Sequence, residues 1–219
     1  MSEREIPILY SLQNCPYAIR ARFAITRAQK RVQIRAVKLN NKPKEMLIAS
    51  PKGSVPILVI DECHIIEESL EIMLWALSES DPMDLLHRQS PVAVNEMMHL
   101  INDFEDAFIP ALEAYCCAKR YHESNLIECR QACEVTLKTL EEYLLKHAFL
   151  YAETESLLDI ALFPFIRKFA RVEKQWYRQS PYPKLRIWLN NYLKSPVFTK
   201  VMAKHELWLE NRKQIQFGQ

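Results

Sequence analysis

The chain has 219 residues, of which 49% are apolar and 26% charged; this composition is typical of a folded globular protein and excludes a disordered chain. Glycine occurs only at Gly53 and Gly218, which excludes the closely spaced glycines of nucleotide phosphate-binding loops. The net charge of +2 is spread over mixed signs, and no run of 18 apolar residues occurs, so we expect neither a nucleic-acid partner nor a membrane partner.

The first eighty residues alternate between strand and helix patterns. Short apolar runs predict strands at 6–12, 32–39, 55–60 and 63–66, and helical spacing predicts helices at 16–30, 43–50 and 68–79. The order βαβαββα predicts a mixed four-stranded sheet with helices on both faces. We therefore expect an α/β domain over residues 1–79, followed by a linker at 80–89.

Residues 90–219 show no convincing strand pattern and predict an all-helical second domain. Two long amphipathic stretches, 92–120 and 124–147, suit an antiparallel helix pair. Ser156 and Asp159 have the spacing of a capping box and open a very apolar helix. Because Glu155 takes the place of an apolar residue before this cap, the sequence predicts a weakened cap.

Six cysteines occur in a chain whose N-terminus lacks the apolar stretch of a secretory signal, so we expect a cytoplasmic protein with free thiols. Cys15 precedes Pro16 in a turn from strand to helix, where the helix dipole favours a thiolate over a thiol. Arg20 and Arg22 lie within two turns and are expected to add positive potential. No second cysteine follows within the motif, so an external thiol must complete any redox cycle.

Four other cysteines fall in the predicted helical pair. Cys129 and Cys133 are spaced to share a helix face, but no C-x-x-C pair accompanies them or their neighbours Cys116 and Cys117. We therefore expect no metal site here, and the pattern assigns these thiols no role.

Four motifs occur in the first domain in a fixed order: Cys15-Pro-Tyr-Ala-Ile-Arg20, Asn41-Lys42-Pro43, Ser54-Val55-Pro56 and Glu67-Glu68-Ser69. Together they resemble the cytosolic glutathione S-transferases, most closely the omega class and its bacterial relatives. This resemblance implies a thioredoxin-like first domain, an all-helical second domain, glutathione as co-substrate and a homodimer.

The resemblance also implies roles for individual residues, with Cys15 as the catalytic group. Val55 precedes the family's cis-proline, here Pro56, and its backbone is expected to pair with the cysteinyl part of glutathione. Glu68 and Ser69 open a helix and are expected to bind the γ-glutamyl group, although a plain helix cap is the alternative. Lys42 matches a family lysine that reaches the glycyl carboxylate.

The resulting hypothesis is a glutathione-dependent thiol transferase or reductase that acts through Cys15. One alternative is a conjugating transferase that activates glutathione through the hydroxyl of Tyr10 or Ser11. Another is a non-catalytic binding or regulatory protein on the same scaffold, because a fold does not fix a function. The second substrate is a small electrophile or disulfide, and no motif in the helical half identifies it.

Overall fold

The computed structural model describes residues 6–218, which divide into two compact units. The first unit consists of residues 6–83 and 196–218, and the second consists of residues 84–195.

The first unit begins with the predicted βαβαββα order. Its elements are β1 (Ile8–Ser11), α1 (Pro16–Arg27), β2 (Val32–Ala36), α2 (Lys44–Ala49), β3 (Ile57–Val59), β4 (Ile65–Ile66) and α3 (Ser69–Glu79). β1 pairs with β2 in parallel and with β3 antiparallel, so that Tyr10 stands between Arg35 and Ile57. The mixed sheet confirms the predicted thioredoxin-like arrangement.

The second unit contains only helices. They are α4 (Ala93–Tyr121), α5 (Leu126–Lys146), α6 (Leu157–Val172), α7 (Lys174–Gln179) and α8 (Pro183–Lys194). Helix α4 packs against α5 and α6, and phenylalanines fill the contact between α4 and α6, with the rings of Phe108 and Phe169 6.0 Å apart. Among residues 6–218, no helix combines the length and hydropathy needed to cross a bilayer.

The capping box that opens α6 is complete and buried, while the strength of the cap beside Glu155 stays a prediction. Ser156 Oγ accepts from the Asp159 backbone, and the Asp159 carboxylate accepts from the Ser156 backbone at 3.1 Å. Glu155 is itself buried and accepts a hydrogen bond from the Tyr192 hydroxyl at 2.6 Å. One oxygen of this carboxylate therefore has a tertiary hydrogen-bond partner that the local sequence does not show.

The end of the chain corrects two predictions, the four-stranded sheet and the helical domain that continues to residue 219. After α9 (Pro196–Val201) and α10 (Trp208–Asn211), β5 (Ile215–Phe217) pairs antiparallel with β2. The sheet therefore has five strands in the order β4-β3-β1-β2-β5. The strand covers the open edge of β2, where unpaired backbone groups would otherwise remain. Three residues are too short a pattern to signal this pairing in the sequence.

Candidate active site

Cys15 lies at the N-cap position of α1, directly before Pro16. Its side chain is half-buried, and its thiol donates to the backbone carbonyl of Val55 at 3.8 Å. Val55 precedes β3, and the Val55–Pro56 peptide bond is cis, as the resemblance implies. No side chain makes a capping hydrogen bond to the first turn of α1, so its first N–H groups have no side-chain acceptor at the N-cap.

The two hydroxyls that compete with Cys15 for the catalytic role are both buried and hydrogen-bonded. The Tyr10 hydroxyl accepts from Arg35 Nη1 at 2.7 Å, and burial raises the pKa of Tyr10 despite the nearby guanidinium. Ser11 Oγ accepts from Arg22 Nη1 at 2.5 Å. Tyr10 and Ser11 are each only 2% exposed, so neither hydroxyl is presented at the surface near Cys15.

The start of α3 is held by a buried arginine that the sequence did not place there. Ser69 is 3% exposed, and its Oγ accepts from Arg20 Nε at 2.9 Å. Glu68 occupies the N-cap position but makes no side-chain cap, which argues against a purely capping role. Its carboxylate is exposed and pairs with Lys52 Nζ at 2.6 Å.

Arg20 and Arg22 are both buried, and their guanidinium groups bind different parts of the first unit. Residues two apart on a helix point to nearly opposite sides, because each residue turns the helix by about 100°. Arg20 reaches the start of α3, whereas Arg22 turns to the end of β1 and the loop before Cys15. The sequence spacing shows that both arginines lie near Cys15, but it does not show which groups accept their hydrogen bonds.

Lys42 approaches the loop that leads to Val55. A Cβ atom at Gly53 would lie 3.1 Å from Lys42 Nζ, and Gly53 has a φ of +59°, which favours glycine. The lysine side chain therefore packs over the turn two residues before Val55. The structure thus brings Cys15 into contact with Val55, ties Ser69 to α1 and places Lys42 against the neighbouring turn.

The thiols of the helical unit differ from Cys15 in their surroundings. Burial raises the pKa of the Cys133 thiol to about 12 and also raises the pKa of Cys116. Such thiols are weak nucleophiles near neutral pH. Among the described residues, no three His, Cys, Asp or Glu side chains form a group that would hold a metal ion.

Two protein-family models match this chain. The model of the glutathione S-transferase N-terminal domain matches residues 9–83, and that of the C-terminal domain matches residues 110–191. The chain belongs to the glutathione S-transferase family. The first matched segment lies within the sheet-bearing unit, and the second covers most of the helical unit.

Individual relatives agree with this assignment. Glutathione S-transferase omega-1 of Mus musculus is 26% identical over 200 residues, which cover 90% of this chain and 81% of the relative. Pyrimidodiazepine synthase of Drosophila melanogaster is 27% identical over 218 residues, which cover 92% and 83%. A glutathione transferase family member from Pseudomonas fluorescens, solved with two glutathione molecules bound, has a TM-score of 0.77 at 18% identity and covers 92% and 94%. These similarities confirm the predicted family and fold and support a glutathione transferase function.

Proposed function

We propose that this glutathione S-transferase is a glutathione-dependent thiol transferase or reductase of the omega type, with Cys15 as its nucleophile. The observation that carries the proposal is the position of Cys15 Sγ, at the start of α1 and 3.8 Å from the Val55 carbonyl. The buried contacts of Tyr10 with Arg35 and of Ser11 with Arg22 argue against activation by a hydroxyl. The omega-1 relative supports this subtype.

Glutathione is the proposed co-substrate, held in an extended form along the edge that contains Val55. The Val55 backbone next to Pro56 pairs with the cysteinyl unit as an added strand would. The first N–H groups of α3 and the Ser69 hydroxyl bind the γ-glutamyl carboxylate, and Glu68 binds the α-ammonium. Lys42 binds the glycyl carboxylate.

The proposed reaction consists of two thiol–disulfide exchanges. The Cys15 thiolate attacks the glutathionyl sulfur of a mixed disulfide, the S–S bond breaks, and the other thiol leaves as a thiolate that takes up a proton. A Cys15–glutathione disulfide remains. A second glutathione thiolate attacks the glutathionyl sulfur of this disulfide, which releases oxidised glutathione and restores the Cys15 thiolate. Each cycle oxidises one free glutathione, reduces one mixed disulfide to its thiol and releases one molecule of oxidised glutathione.

The test compares the wild type with Cys15→Ser and Tyr10→Phe in the reduction of a small glutathione mixed disulfide. We expect Cys15→Ser to lose at least about 100-fold in kcat/KM, because a hydroxyl cannot form the mixed disulfide. Tyr10→Phe is expected to stay within about 2-fold, because its hydroxyl contacts Arg35 and not the site.

Three other outcomes would overturn the proposal. Full activity of Cys15→Ser would exclude Cys15 as nucleophile, and loss of activity only in Tyr10→Phe would favour the conjugating alternative. Retention of the wild type on immobilised glutathione without any turnover would favour a binding protein. A homodimer and a cytoplasmic location stay predictions from the sequence and the family resemblance.

A further inference from the structure

Arg22 is the most completely buried charged side chain near Cys15, with 1% exposure. All three nitrogens of its guanidinium donate hydrogen bonds. Nη1 donates to Leu12 O at 3.2 Å, and Nη2 donates to Gln13 O at 2.8 Å. Nε donates to Val201 O at 2.9 Å. One planar group therefore binds two segments that are far apart in sequence.

The first of these segments is the loop that carries Cys15. Leu12 and Gln13 connect β1 to Cys15, and the Cys15 backbone N–H donates to Leu12 O at 3.3 Å. Leu12 O thus accepts from both Arg22 and Cys15. The guanidinium therefore holds the loop at Leu12 and Gln13, which lie three and two residues before Cys15.

The second segment is the end of α9, which contacts the same loop independently of Arg22. Gln13 Nε2 donates to Met202 O at 2.7 Å, next to the Val201 carbonyl that Arg22 binds. Helix α9 also packs directly against α1. The loop is therefore fixed from both sides, by a buried arginine and by a side chain of its own.

We propose that Arg22 is a positioning residue for Cys15, which acts by clamping residues 11–13 to the chain segment at Val201 and Met202. The inference rests on the proposed function of Cys15. A displacement of a reacting atom by about 1 Å costs rate even when substrate binding is unchanged. Through this clamp, the segment at Val201 and Met202, which follows the helical unit in the sequence, affects the reactivity of the Cys15 thiol.

The main variant is Arg22→Lys, which keeps the buried charge but replaces a planar fork by a single ammonium. A single ammonium group cannot donate to the Val201 carbonyl and to the Leu12 and Gln13 carbonyls at the same time, because these acceptors surround different nitrogens of the guanidinium. We expect kcat for mixed-disulfide reduction to fall about 10-fold, while KM for glutathione stays within about 2-fold. Arg31→Lys is the matched control, because Arg31 is exposed and follows the same helix.

A second measurement does not depend on turnover. The rate at which iodoacetamide alkylates Cys15 is followed by mass spectrometry of the tryptic peptide 5–20, which contains Cys15 as its only cysteine. We expect this rate to change at least about 3-fold in Arg22→Lys and to be unchanged in Arg31→Lys. A role of Arg22 in stability alone would lower the melting temperature without changing either rate in the folded protein.

Gln13→Leu keeps the experiment decisive if Arg22→Lys does not fold. It removes the contact with Met202 O and leaves the buried arginine intact, so we expect the same kcat effect at about 3-fold. Unchanged kcat and unchanged alkylation in the folded variants would overturn the proposal. Inactivity of wild-type protein towards mixed disulfides would overturn the proposed function instead, whereas the alkylation result would still report on the clamp.

Discussion

The start of α6 in the helical unit and the starts of α1 and α3 in the sheet-bearing unit are built in opposite ways. At the start of α6, Ser156 and Asp159 satisfy each other's backbone donors in a fully buried capping box. At the start of α1 and of α3, Cys15 and Glu68 occupy the N-cap positions without making a side-chain cap. The start of α6 is therefore capped by side chains of its own first turn, whereas the starts of α1 and α3 have no such cap.

We interpret the capped start of α6 as a stabilising feature and the uncapped starts of α1 and α3 as binding features. The first four N–H groups of a helix have no partner within the helix and carry the positive end of its dipole. A buried cap uses them to stabilise the fold. An uncapped start that also lies beside a buried cation, as α3 does beside Arg20, offers the same donors to an anionic ligand. We therefore expect changes at α6 to alter stability alone, and changes at α1 and α3 to alter the chemistry with glutathione.

The largest effect is expected from Asp159→Ala in the helical unit. The carboxylate accepts from the backbone of Leu150 and the indole of Trp188, both at 2.9 Å, and from the Ser156 backbone and hydroxyl. Orphaning these buried donors is expected to lower the free energy of unfolding by about 4 kcal/mol, measured by urea denaturation at pH 7. Ser156→Ala is the matched variant, with an expected loss of about 1 kcal/mol. A loss below about 1 kcal/mol for Asp159→Ala would contradict this account.

The same carboxylate predicts a pH dependence of stability. Burial raises the pKa of Asp159 from its ordinary value of 3.8 to about 6, although its hydrogen bonds oppose this rise. Between these values the folded chain holds a proton that the unfolded chain has released, so stability falls as the pH rises from about 4 to about 6. Asp159→Asn cannot titrate. The difference in unfolding free energy, wild type minus Asp159→Asn, is expected to fall by up to about 3 kcal/mol across this range and to stay constant above it. Parallel stability curves for the two proteins would refute the assignment.

The capped helix start was readable from the sequence, because its two partners are three residues apart. The order of the first seven elements was equally readable, since each carries its own period of apolar residues. The motifs around Cys15, Val55 and Ser69 indicated the candidate site through resemblance, and the structure brings Cys15 and Val55 into contact.

Contacts between residues far apart in the chain could not be predicted from the sequence. The bond from Arg20 to Ser69 joins residues 49 apart, and the bond from Arg22 to Val201 joins residues 179 apart. A buried arginine has the same local pattern as a solvated one, so its partner depends on the fold. The pairing of Ile215–Phe217 with β2 escaped for the same reason, because a short edge strand is defined by the neighbour that it covers.

The uncapped start of α3 is tested by Ser69→Ala. Arg20 donates to Ser69 Oγ, which leaves the hydroxyl hydrogen for an acceptor such as the γ-glutamyl carboxylate. We expect KM for glutathione to rise about 10-fold and kcat to stay within about 2-fold, measured in the mixed-disulfide assay. Ser78→Ala, at an exposed position near the other end of the same helix, is the control and should change neither value. A larger loss of stability than of affinity would make Ser69 a structural residue like Ser156.

The smallest effect is expected at Lys42, where the proposed contact is electrostatic and partly in water. Lys42→Gln is expected to raise KM for glutathione about 3-fold at low ionic strength, because the glycyl carboxylate loses an opposite charge. Added salt screens the lysine–carboxylate attraction in the wild type, so the difference between the proteins should shrink at about 1 M salt. Lys44→Gln removes an exposed lysine two residues away and controls for net charge. An equal rise in KM for both variants would assign the effect to the overall field, and a salt-independent effect of Lys42→Gln would assign it to packing against Gly53.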